Sequence, residues 1–141
     1  MSKGLRRFVV AVGAPVLVLW ALAAVAHHSA AQFDFGQRVT VEGVIKEIRV
    51  TNPHTMAIVE VTDEKGTRDV EFEGHSASHF YRAGYTRGMA KPGDKIAILI
   101  APRGDGEDGG FIQAFTVNER TIGFGGLSPE TGRRTGAGAS E

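Results

Sequence analysis

Five runs rich in β-branched or apolar residues, one run of helical period and a complete lack of cysteine predict an all-β fold with one short helix. The expected architecture is an OB-like, five-stranded Greek-key barrel. The first observation is the order of the runs: strand, strand, strand, helix, strand, strand. The second is the turn chemistry at the joints, where Asn52-Pro53, Gly66, Gly84 and Pro92-Gly93 fall between the runs. The third is closure. A small sheet with no disulfide to hold it must hide its edges, and a barrel removes them. An open β-sandwich is the alternative.

The first run, Val39 to Val50, changes phase partway. Val39 and Val41 are odd-numbered, whereas Val44, Ile48 and Val50 are even. A one-residue shift flips the faces of a strand, so a bulge is expected, with Gly43 at the shift. Thr51-Asn52-Pro53-His54 is a turn, because proline cannot donate to a ladder and restricts the residue before it. The second strand, Thr55 to Thr62, places Ala57, Val59 and Val61 on one face. After the hairpin Asp63-Glu64-Lys65-Gly66, the third strand, Thr67 to Glu73, turns Val70 and Phe72 inward. Asp69, Glu71 and Glu73 form an outward acidic stripe.

Ser76 to Gly84 reads as a short helix with Ser76 as N-cap and Gly84 as stop. Tyr85 to Ala90 connects it to a type II turn at Lys91-Pro92-Gly93-Asp94. The fourth strand, Lys95 to Ala101, has Ile96, Ile98 and Ile100 on one face; Phe111 to Asn118 is the last strand. The expected core is Val41, Val44, Ile48, Val59, Val70, Phe72, Ile96, Ile98, Phe115 and Val117.

Composition sets the limits of function. The chain has 141 residues, 16 basic and 16 acidic. Lys3, Arg6 and Arg7 precede an uncharged apolar run from Phe8 to Ala26, which ends in Ala24-x-Ala26. This is the layout of a secretory signal over residues 1–26; an uncleaved membrane anchor is the alternative reading. Cleavage after Ala26 leaves 13 basic and 16 acidic residues, a formal charge of −3. That balance argues against nucleic acid. The organisation follows: signal 1–26, lead-in 27–38 with Phe33 and Phe35 as anchors, barrel 39–118 and a flexible Gly-rich tail 119–141, in a periplasmic or secreted protein.

Candidate chemistry rests on the five histidines, His27, His28, His54, His75 and His79. Cleavage before His27 gives it a free α-amine, and amine and imidazole nitrogens together can chelate copper. His28 offers a second ring, and His54, on the turn at the barrel rim, a third nitrogen. The metal site is therefore expected at His27, His28 and His54, with Asn52, Pro53 and His54 as the ligand-binding rim. His75 and His79 lie four apart but lack the intervening Glu of zinc proteases, so they read as exposed histidines on a polar face. Asp105, Glu107 and Asp108 do not follow the ligand order of a calcium loop. No serine sits in a nucleophile motif.

Ala26-His27-His28-Ser29, Phe33-Asp34, Val41-x-Gly43-Val44, Thr51-Asn52-Pro53-His54, Phe72-Glu73-Gly74 and Lys91-Pro92-Gly93-Asp94 together resemble the exported bacterial proteins grouped as domain of unknown function 6152. The resemblance runs from about His27 to Val117 and implies an exported small β-barrel domain without an assigned activity. His75 and His79 depart from that pattern. The functional expectation is a small exported, non-enzymatic binding protein and candidate copper binder. The alternative is an OB-type module for a small ligand or an envelope protein, without metal. The membrane enters only through the leader. A copper oxidase built on His27 has no readable substrate groove.

Overall fold

A computed structural model describes residues 31–130. The expected signal 1–26, His27 and His28 lie outside the described residues, as do residues 131–141. The elements are β1 (Val39–Arg49), β2 (Thr55–Asp63), β3 (Gly66–Gly74), α1 (Ala77–Arg82), β4 (Lys95–Pro102), β5 (Gly110–Val117) and β6 (Arg120–Gly123). The strand order is β3-β2-β1-β4-β5-β6, and β3 also pairs with β5. That parallel pairing, Phe72 with Gly110 and Glu73 with Phe111, closes β1 to β5 into the expected OB-like barrel.

Closure is short because β5 shares one edge between two partners. β3 takes its first residues, and β6 takes Ala114 to Val117. Between them α1 covers the seam. Its Phe80 is fully buried, stacked on Phe115 at 5.8 Å between ring centroids and in contact with Tyr85. The helix begins after Ser76 and ends at Ala83, as the cap pattern requires. The Ser76 hydroxyl, however, meets the His79 ring and caps no backbone N–H. Tyr85, Met89 and Ala90, expected as a mere connector, pack into the core.

Nine of the ten expected core residues behave as read or nearly so: Val59, Val70, Phe72, Ile96, Ile98, Phe115 and Val117 are buried, and Val41 and Ile48 are half-buried against them, while Val44 is not part of the core. Ile45 takes its place at 1% exposure. The phase shift in β1 is real, but it falls between Ile45 and Glu47, where Lys46 is the extra residue opposite β2. Gly43 serves another purpose. A Cβ there would run into the Glu60 carbonyl oxygen and the Val59 side chain, so glycine permits β1 to approach β2 closely.

Gly93 adopts φ of +92°, and the Asp94 amide donates to the Lys91 carbonyl at 3.1 Å, as a type II turn demands. The expected boundary at Asn118 falls short. Asn118 and Glu119, both with positive φ, turn the chain into β6, and Ile122 is buried. Leu127 then packs on Leu99 and Ala114, and the Thr40 hydroxyl donates to the Pro129 carbonyl at 3.0 Å. Residues 119–130 are thus part of the packed structure rather than of a flexible tail. Their few apolar groups suffice because the outward Leu99 and Ala114 would otherwise be bare.

Candidate functional site

The site forms where β5 leaves β3 and meets β6. Leu99 pairs with Ala114, and Ile100 with Ile112. Gln113 is therefore the extra residue of a β-bulge, a device that re-aims a side chain. Its carbonyl accepts from the Phe124 amide at 2.9 Å. Its side chain is only 9% exposed, and Oε1 has no hydrogen-bond partner among the described residues. Buried polar atoms in folded proteins are nearly always paired; Thr55 Oγ1, fully buried on β2, is the other one unpaired among the described residues.

Gln113 lines a cleft of about 490 Å³, with Phe35, Phe111, Phe124 and Leu127 as apolar walls and His75, His79 and Arg82 as polar ones. The volume lies in the range of small-molecule sites. Phe33 is the true anchor of the lead-in: it is buried and bridges to Arg103. Phe35 stands 45% exposed, with its ring 5.5 Å from Phe111. An exposed aromatic held at a cleft mouth is an available contact surface rather than a core residue.

His75 corrects the expectation of two exposed histidines. It follows β3 directly, and its carbonyl accepts from the Thr55 amide at 3.0 Å. Its half-buried ring lies 5.2 Å from His79 (stacked), 4.9 Å from Phe111 (edge-on) and 4.6 Å from Phe124. Burial, aided by the nearby charges of His79 and His54, lowers its pKa below the usual 6.5. The neutral imidazole therefore prevails at pH 7. His79 stays exposed, its Nδ1 3.0 Å from the Ser76 hydroxyl.

His54 lies on the expected turn, which the Thr51 hydroxyl closes by donating to the His54 carbonyl at 3.0 Å. The Asn52–Pro53 peptide is cis. None of Asn52, Pro53 and His54 lines the cleft. His54 Nδ1 instead sits 2.6 Å from Glu73 Oε1. Glu73 has a side chain only 15% exposed, so it leaves the acidic stripe and works at the rim. Among the described residues no three histidine or carboxylate side chains are grouped to hold a metal. The expected partners of His54, His27 and His28, lie outside that range.

The sequence carried one unread signal for this site. Gln113 is the only amide in the apolar run from Phe111 to Val117, and a polar residue inside a buried strand invites the question of what it faces.

The chain belongs to a family of unknown function, DUF6152, whose pattern matches residues 14–113. The match starts earlier than the resemblance drawn from the motifs and takes in the second half of the apolar run before His27. It stops at the bulge residue, so β6 and Phe124 lie beyond it. No curated protein matches the chain.

Proposed function

We propose that this chain is a small exported binding protein, without catalytic activity of its own, that takes a small ligand into the aromatic cleft. The observation that carries the reading is the cleft itself, about 490 Å³ and walled by Phe35, Phe111 and Phe124, with the Phe35 ring exposed. The export reading draws on the basic start, the apolar run and Ala24-x-Ala26. The site has aromatic walls and few polar groups, as binding clefts do. A library of small aromatic compounds screened by amide and side-chain NMR tests the reading. Saturable shifts at His75, Phe111, Gln113 and Phe124 are expected. If no compound moves them, the cleft is not a binding site.

A second reading keeps copper at His27, His28 and His54. One observation favours it: a carboxylate on His54 Nδ1 orients the ring and leaves Nε2 for a metal, as outer carboxylates do for metal-bound histidines. A competitive Cu(II) titration separates the readings. Protein starting at His27 should bind more tightly than protein with one added residue before it, and His54→Ala should weaken the same site. Equal affinities would remove copper.

A further inference from the structure

We infer that the ligand of this cleft is a flat aromatic anion with a single negative charge, held at its acidic group by Arg82 and His79 of α1. The inference rests on the binding reading above and adds the charge of the ligand and the residues that select for it.

The cleft has two kinds of wall, and they come from different parts of the chain. Phe35 from the lead-in, Phe111 from β5 and Phe124 just beyond β6 form the apolar wall. The half-buried His75 ring joins them, edge-on to Phe111 and tilted against Phe124. Such rings offer faces and edges to a flat ring and little to a flexible chain. The polar wall belongs to α1. His79 and Arg82 lie three apart, a spacing that puts both on one helix face. Both are exposed, and both line the cleft. The His79 ring is oriented by the Ser76 hydroxyl, 3.0 Å from its Nδ1, which leaves Nε2 available.

The charges around the cleft decide the sign of the ligand. No carboxylate lines it. The acids adjacent to its walls in sequence are engaged elsewhere: Asp34 accepts from the Gly36 amide at 2.9 Å and from the Gln37 side chain at 2.7 Å, and Glu73 stands 2.6 Å from His54 Nδ1. Arg82 makes no ion pair among the described residues. A guanidinium without an internal counterion suits a carboxylate or a sulfonate, whose oxygens it can take with two parallel hydrogen bonds. One such group, on a chain with 13 basic and 16 acidic residues after position 26, suits one negative charge and not a polyanion. A cationic ligand would meet Arg82 with no acid to offset it, and an aliphatic anion would leave the rings unused.

The test is isothermal titration calorimetry at neutral pH with 2-naphthoate, 2-naphthylmethanol, 2-naphthylmethylammonium and octanoate, with NMR shifts locating each compound. The cleft, about 490 Å³, has room for the fused rings. 2-Naphthoate should bind most tightly, the alcohol and octanoate about tenfold or more weakly, and the ammonium weakest of all. Arg82→Gln, at an exposed position, should abolish the preference for the acid over the alcohol. Arg82→Lys, which keeps the charge and loses the planar fork, should retain part of it. High salt should shrink the same preference in the unaltered protein. Equal binding of acid and alcohol inside the cleft, or an acid preference that survives Arg82→Gln, would overturn the inference and leave the binding reading standing. The inference also falls if library compounds occupy the cleft and 2-naphthoate does not. If the whole library fails, the binding reading itself falls.

Discussion

The seam between β3 and β5 has two ends of opposite character. At the hairpin end Arg68 donates to both oxygens of Asp63, at 2.7 and 3.0 Å, and to both oxygens of Asp108. Lys65 adds a contact to Asp108 at 3.3 Å. At the cleft end Gln113 Oε1 is unpaired, Arg82 makes no ion pair among the described residues, and His75 is neutral among phenylalanines. The same two strands thus run from charges that are matched to polar groups that are not. The matched end fastens the loop between β4 and β5 to the β2–β3 hairpin. The unmatched end costs stability that a fold of this size does not give up without a use.

The largest test of this contrast is at the seam itself. Phe72 pairs with Gly110 and is 1% exposed. Phe72→Ala should cost about 3–5 kcal/mol, read as a lower midpoint in urea. Both ends should loosen together, so amide exchange should quicken at Arg68 and at His75 alike. A cost under about 1 kcal/mol would mean that the seam does not join them.

A smaller effect, of opposite sign, is expected at the cleft end. Gln113→Leu keeps the volume and removes the orphaned acceptor. Replacing such a group by an apolar one is neutral or stabilising, and a gain of about 1 kcal/mol is expected, seen as a raised melting temperature. A loss of 2 kcal/mol or more would show that the Gln113 side chain holds the fold together, which would dissolve the contrast between the ends.

Much of the barrel was legible because the evidence for it is local. Val70 and Phe72 alternate with acids, Pro92-Gly93 supplies the dihedrals of its turn, and Ser76 and Gly84 bracket a helix. The choice between Val44 and Ile45 was not legible, since both are β-branched neighbours and the position of the bulge depends on how β1 counts against β2. β6 was missed because only Ile122 of its four residues is buried and apolar. Its turn relies on Asn118 and Glu119 in a conformation that glycine usually takes. The cleft was invisible for a different reason. Phe35, His75, Phe111 and Phe124 come from four separate segments, and no spacing within one segment brings them together.

The last test uses acid, because the two ends respond to it in different ranges. The His75 pKa is lowered in the folded protein, chiefly by burial. The unfolded chain then binds a proton below about 6.5 that the folded chain refuses. By linkage, this contribution to stability is whole above pH 6.5 and is lost as pH falls from there through the lowered folded value. Hydrogen bonds from Arg68 lower Asp63 and Asp108 from 3.8, and Asp108 reaches about 2. Their contribution is whole above pH 3.8 and is lost as pH falls toward 2. Melting temperature plotted against pH should therefore fall in two stages. His75→Phe, which keeps a ring against Phe111 and Phe124, should flatten the stage just below pH 6.5 and spare the one below pH 4. Arg68→Met should do the reverse, and the acid stage alone should shrink in high salt, since its charges are exposed and screened. If His75→Phe leaves the upper stage unchanged, His75 is not the group that titrates there, and the aromatic surroundings do not hold its ring neutral.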